Sequence, residues 1–96
     1  MRLRARVDAN HGQIVAALRQ MGASVFDASR MGRGCPDLLV GFRGETYLVE
    51  VKDGEKVKSA RKLTPAQVSF REVWRGRPAV TVESVDDAVR LLNAKG

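Results

Sequence analysis

The sequence predicts an α/β fold in which helices flank a mixed β-sheet, with the elements in the order αβββαβα. Two apolar runs of strand length flank Arg43-Gly44 and predict a β-hairpin. Helix-start signals with amphipathic spacing occur near residues 10, 64 and 84. Helices that alternate with strands in this way are expected to pack on the faces of one sheet.

The first helix is predicted to begin at Asp8 or Asn10, where Asn10 and Gln13 can form a capping box. Its apolar residues recur at helical spacing and are Ile14, Val15, Leu18 and Met21. Gly22 is a typical residue for the position just after a helix ends. The apolar stripe of this helix needs a sheet to cover, and a first strand is predicted within residues 23–28.

The hairpin sets two acids opposite each other. If Arg43 and Gly44 are the central turn residues, the register of the two strands places Asp37 directly opposite Glu50. Lys52 lies two residues further and points to the same face, because strand side chains alternate. Both faces of the hairpin are otherwise largely apolar, so helices are expected to cover both.

The second helix is predicted to begin at Thr64, which forms a capping box with Gln67, and to end at Gly76. Its apolar stripe consists of Ala66, Phe70, Val73 and Trp74. We expect Phe70 and Trp74 to lie in the core or in a dimer contact. A short strand follows at residues 79–82. Ser84, with two acids in the next turn, begins the last helix.

Basic residues cluster in two segments that border the hairpin. The glycine-punctuated loop before it carries Arg30 and Arg33, and its glycines allow close approach to a phosphate. Residues 53–63 are predicted to form a surface loop, and their basic residues are Lys56, Lys58, Arg61 and Lys62. These side chains either are simply solvated or bind nucleic-acid phosphates.

Composition is that of one small domain, residues 1–96, with a formal charge of +6 that favours polyanionic partners. The basic residues 1–7 show no helix or strand pattern.

The single Cys35, expected to fill a loop, excludes an internal disulfide and a cysteine zinc cluster. No apolar run reaches the length of a signal peptide core or a membrane span, so a soluble cytoplasmic protein is expected. His11 is expected at the surface.

The chemistry that these residues permit is phosphodiester hydrolysis with a metal ion. Carboxylates from Asp37 and Glu50, with a nearby backbone carbonyl such as that of Val51, form a partial cage for a hard cation such as Mg²⁺. Such a metal polarises a phosphodiester and lowers the pKa of a bound water. Lys52 could orient that water or stabilise negative charge at phosphorus. The alternative is that the acids are structural, although two facing carboxylates repel each other unless a cation lies between them.

The motif Pro36-Asp37, followed thirteen residues later by Glu50-Val51-Lys52, resembles the PD-(D/E)xK nuclease superfamily. The stretch Gly34-Cys35-Pro36-Asp37-Leu38-Leu39-Val40 and the small size resemble its stand-alone VRR-NUC (viral replication and repair nuclease) domains, which are similar to Holliday junction resolvases.

This resemblance implies a restriction-endonuclease-like core over nearly the whole chain. Asp37 and Glu50 would then be metal ligands, Lys52 the catalytic lysine, and Gln67 a residue near the active site. The first helix of such folds often supplies another acid towards the metal, but this chain offers Asn10 and Gln13 at the plausible positions, with Asp8 just upstream. One Mg²⁺ or Mn²⁺ is therefore expected rather than two.

The resemblance also implies a function. A metal-dependent DNA endonuclease is expected, with a preference for branched or Holliday-junction-like DNA, acting as a homodimer in a bacterial or phage-infected cell. One alternative is a non-catalytic nucleic-acid-binding module on the same fold. Another is a small basic assembly protein whose acids are structural.

Overall fold

A computed structural model describes residues 9–94 and confirms the predicted element order. The elements are α1 (His11–Gln20), β1 (Ser24–Asp27), β2 (Leu38–Phe42), β3 (Glu45–Val51), a 3₁₀ helix (Lys58–Arg61), α2 (Pro65–Val73), β4 (Val80–Val82) and α3 (Val85–Asn93). The basic segment 1–7 and the predicted helix start at Asp8 lie outside the described residues. No helix in the described range is long and apolar enough to cross a membrane.

The four strands form a single mixed sheet in the order β1-β2-β3-β4. β2 is antiparallel to both β1 and β3, and β4 runs parallel to β3. A parallel neighbour requires a crossover connection, and α2 lies within that connection. The mixed sheet with flanking helices is the α/β architecture that the sequence predicts.

The turn between β2 and β3 fixes the register of the hairpin. Arg43 and Gly44 have φ angles of 52° and 81°, as a two-residue turn of the primed type requires. The strands therefore pair as predicted, as far as Leu38 opposite Val49. The next position along the hairpin brings together the two predicted acids.

One face of the sheet packs against α1 and α3 and forms the hydrophobic core. Leu38, Val40 and Val49 are fully buried on the strand side, as are Ile14 and Leu18 on α1. Burying a side chain of this size contributes about 1.5–3 kcal/mol. This face therefore supplies most of the hydrophobic stabilisation of the domain.

The other face of the sheet is largely open, so the expectation that helices cover both faces is wrong. Phe26 is 64% exposed and Leu39 is 41% exposed. The short helix α2 has no buried residue, and its hydrogen bonds from Gln67 to Glu50 and from Arg71 to Thr81 lie at the end of the sheet that carries the acids. Val73 and Trp74 are also exposed, which places them outside the core. An apolar surface therefore remains uncovered beside the acids.

The start of α1 differs from its prediction because its polar residues have distant partners. Asn10 makes no capping hydrogen bond; its Nδ2 donates to the backbone oxygens of Lys52 and Glu83, at 3.2 and 3.0 Å. His11 is buried, contrary to the expectation of a surface position, and its Nε2 lies 3.1 Å from Oδ2 of Asp27. The α1 start is thereby tied to β1 and to the ends of β3 and β4.

The starts of α2 and α3 follow the sequence. Thr64 and Gln67 form the predicted capping box, and Ser84 caps α3. The helix α2 ends at Val73, three residues before the predicted Gly76. These caps fix where each helix begins relative to the sheet.

Candidate active site

The two acids of the hairpin meet at one end of the sheet, on its open face. Glu50 is only 4% exposed, and Asp37 is half-buried at the start of β2. Oδ2 of Asp37 accepts a hydrogen bond from the backbone N–H of Val51 at 2.9 Å. The backbone oxygen of Asp37 accepts one from Ala28 at 2.7 Å. Asp37 is thus held between β1 and β3.

The buried position of Glu50 changes its protonation. Burial, followed by the nearby negative charge of Asp37, raises the pKa of Glu50 from 4.5 to about 8. The positive charges of Lys52 and Arg71 oppose this rise in pKa. At neutral pH, and without a cation nearby, Glu50 therefore keeps its proton.

Lys52 and Gln67 complete a hydrogen-bonded group with Glu50. The Lys52 amine donates to Oε1 of Gln67 at 3.2 Å and lies 3.8 Å from Oε2 of Glu50. Nε2 of Gln67 donates to that same Glu50 oxygen at 2.8 Å. The structure therefore brings together all four residues that the sequence predicts for catalysis, Asp37 included.

Gln67 is positioned by the start of α2. Its Oε1 also accepts the backbone N–H of Thr64 at 2.8 Å, so the capping box and the site share one side chain. The loop before β2 lies against the first turn of α2, because a Cβ at Gly34 would overlap the carbonyl oxygen of Ala66. Only glycine permits this approach, and its φ of 79° is likewise typical of glycine.

Two further residues beside Glu50, Arg71 and Thr81, were not predicted from the sequence. Arg71 lies one helical turn after Gln67, and its Nη2 donates to Oγ1 of Thr81 at 2.7 Å. Thr81 pairs with Glu50 across β3 and β4. The four-residue spacing from Gln67 could have indicated Arg71. Nothing local could have indicated that Asn10 bonds to the backbone oxygens of Lys52 and Glu83, which lie far along the chain.

The predicted phosphate-binding residues occupy the two segments that precede and follow the hairpin. They are Arg30, Arg33, Lys56, Lys58, Arg61 and Lys62, and all except Arg61 are exposed. Nη1 of Arg61 lies 3.0 Å from Oε1 of Glu83 in a half-buried ion pair. Arg61 thus shares its charge with an acid of the same chain.

Cys35 is not activated as a nucleophile. Burial raises the pKa of its thiol, and the negative charges of Glu50 and Asp37 act in the same direction. The thiolate is the reactive form of cysteine, so this environment keeps Cys35 unreactive.

The donor set fits one hard divalent cation. Within residues 9–94, no three His, Cys, Asp or Glu side chains cluster so that they could hold a metal ion. Asp37 and Glu50 would therefore be the only carboxylate ligands, with a backbone carbonyl such as that of Val51 beside them. Mg²⁺ is commonly bound by one or two carboxylates and keeps several waters. The pKa of Glu50 is raised first by burial and then by the charge of Asp37, and a cation would offset the second of these effects.

Sheet order, flanking helices and the acids at the end of the hairpin define an α/β domain of the restriction-endonuclease-like nuclease class. A solved structure described as a VRR_NUC domain is 30% identical in sequence, with a TM-score of 0.65. The match covers 88% of this chain and 96% of that one. The chain belongs to the VRR-NUC family of nuclease domains. No protein-family model matches the sequence, and no curated protein matches it.

Proposed function

We propose that this protein is a metal-dependent endonuclease that hydrolyses DNA phosphodiester bonds. The meeting of Asp37, Glu50 and Lys52 at one end of the sheet carries the proposal, with Gln67 hydrogen-bonded to two of them. Membership in a nuclease family supports the class of reaction. The formal charge of +6 favours association with DNA.

Asp37 and Glu50 are the proposed ligands of Mg²⁺ or Mn²⁺, with the Val51 carbonyl as a third protein ligand. When bound, the cation supplies the Lewis acidity that polarises the phosphodiester. Metal ligation needs ionised carboxylates, so Glu50 releases its proton on binding. The hydrogen bond from Val51 holds Asp37 in place for this role.

Lys52 is the proposed catalytic lysine. Its amine donates a hydrogen bond to a phosphate oxygen or to the attacking water, at the position where negative charge develops. Gln67 holds this amine and the Glu50 carboxyl at a fixed separation, because it is bonded to both. Since the capping box also holds Gln67, less side-chain freedom is lost when substrate binds.

We also propose that branched DNA is preferred and that the active form is a homodimer. The open apolar face, which includes Phe26 and Leu39, supports an association of subunits. A two-fold dimer of so small a domain would present one site to each of two DNA strands. The exposed residues of the basic segments, Arg30 and Lys58 among them, are proposed phosphate contacts.

The test is cleavage of a four-way junction, a flap and a linear duplex of matched sequence in Mg²⁺, with EDTA as the blank. We expect the junction to be cut fastest. Lys52→Ala and Asp37→Asn should each reduce the rate on the order of 10²–10³-fold. Wild-type activity in either variant would refute the site. DNA binding without cleavage by the wild type would favour the non-catalytic module.

A further inference from the structure

Arg71 differs from the other partly buried arginine of residues 9–94. Arg61 is also half-buried, but it forms an ion pair with Glu83. Arg71 forms no ion pair with any residue of that range, and its hydrogen bond is to the neutral hydroxyl of Thr81. Its charge acts on Glu50 through space without a direct contact, so the guanidinium remains able to pair with an anion from outside the chain.

The location of Arg71 shows which anion would reach it. Thr81 pairs with Glu50 across β3 and β4, so the hydroxyl that holds Arg71 lies next to the paired acids. Gln67, one turn earlier on the same face of α2, is bonded to Glu50 itself. The guanidinium therefore lies beside the proposed site, on the side formed by α2 and β4.

The chemistry of the side chain favours a phosphate group. A guanidinium offers five N–H donors in a planar fork, which matches two non-bridging oxygens of a phosphate. The bond to Thr81 uses one donor and orients the fork, so the remaining donors of Arg71 are available to a ligand. An ammonium group at this position could not make the paired contact.

We propose that Arg71 is a phosphate-binding residue, which holds one backbone phosphate of the DNA strand beside Glu50 through two parallel hydrogen bonds, and that Thr81 positions it. This assignment rests on the proposed nuclease function, because it takes DNA as the anion. It adds a phosphate contact on α2 to those proposed in the basic segments of the chain.

The test measures DNA affinity in EDTA, where no cleavage is expected, by fluorescence anisotropy with a labelled duplex and a labelled junction. Arg71→Ala should weaken binding roughly tenfold and lower the slope of log affinity against log salt by about one. Arg71→Lys, which keeps the charge, should recover only part of the loss. Arg75→Ala is the matched control, since it removes the same charge from an exposed position just beyond α2. It should weaken binding less than about threefold.

A second arm identifies the phosphate directly. Uncharged methylphosphonates are placed one at a time along one strand of the same DNA. At one position the losses of binding free energy caused by the methylphosphonate and by Arg71→Ala should be non-additive. At that same position the losses caused by the methylphosphonate and by Arg75→Ala should be additive. Thr81→Val should give a smaller loss at that same position, because the fork is no longer oriented.

The outcomes separate this assignment from the proposed function. Equal losses for Arg71→Ala and Arg75→Ala, or additivity at every phosphate, would overturn the role of Arg71 and leave the nuclease proposal intact. If the wild type bound neither the duplex nor the junction, the role of Arg71 and the proposed nuclease function would both be refuted. A purely structural tie between α2 and β4 predicts a lower urea midpoint for Arg71→Ala with unchanged DNA affinity, and this result would also overturn the assignment.

Discussion

The buried carboxyl group of Glu50 makes the stability of the metal-free protein depend on pH. Below pH 4.5 this group is protonated in the folded and in the unfolded chain, so it contributes no pH dependence. Between pH 4.5 and about 8 the unfolded chain loses the proton while the folded chain keeps it, because burial raises the folded-state pKa. Folding stability therefore falls across this window, and the loss is complete above it.

The size of the loss follows from the pKa values. A rise from 4.5 to about 8 corresponds to roughly 3–5 kcal/mol. This is a large fraction of the stability of a small domain. Glu50→Gln removes the titration and retains an oxygen that can accept the hydrogen bond from Gln67. The variant should match the wild type at pH 4 and exceed its stability at pH 9.

The assay is urea unfolding in EDTA from pH 4 to 9, followed by far-ultraviolet circular dichroism. Subtracting the two free energies of unfolding cancels every titration that the proteins share. Glu72→Gln is the control, since Glu72 is an exposed acid on α2, and it should follow the wild type. Parallel pH curves for Glu50→Gln and the wild type would refute the claim that Glu50 is held protonated by its surroundings.

Other substitutions test how the site is supported. Gly34→Ala should cost more than about 2 kcal/mol of unfolding free energy, because the added Cβ would overlap Ala66. Gly32→Ala should cost about 1 kcal/mol, because no atom lies near the added Cβ. Similar urea midpoints for the two variants would contradict this contact. Leu38→Ala should cost about 2–5 kcal/mol, because the side chain is fully buried, and Leu39→Ala on the open face about 0.5 kcal/mol by thermal unfolding of the monomer. Thr64→Ala should cost about 1 kcal/mol of unfolding free energy and also slow DNA cleavage, because it loosens the helix start that holds Gln67. An unchanged cleavage rate would show that this cap does not support the site.

Local signals were sufficient for the hairpin and for two helix starts. The turn at Arg43-Gly44 sets the strand register, and the register alone brings the acids of the motif together. Thr64 with Gln67 and Ser84 with its acidic first turn are capping patterns that depend on a few adjacent residues. Such features are encoded within short stretches, so the sequence predicts them well.

Long-range partners were not predictable from those signals. Asn10 and His11 look like residues of a helix start, yet one bridges β3 and β4 and the other is buried against Asp27. The apolar residues of the open face alternate like core residues, and periodicity cannot tell whether a helix reaches them. Phe26 and Leu39 stay exposed because α2 is short and lies at the end of the sheet.

The central claim is that the paired carboxylates of Asp37 and Glu50 form a metal site, and isothermal titration calorimetry with Mn²⁺ at pH 7 tests it most directly. The wild type should bind one Mn²⁺ per chain and release about one proton, seen as a heat that depends on the buffer, because Glu50 begins protonated. Asp37→Asn should abolish this binding, and Lys52→Ala should retain it. Metal uptake that is the same in Asp37→Asn, or absent from the wild type, would contradict the account.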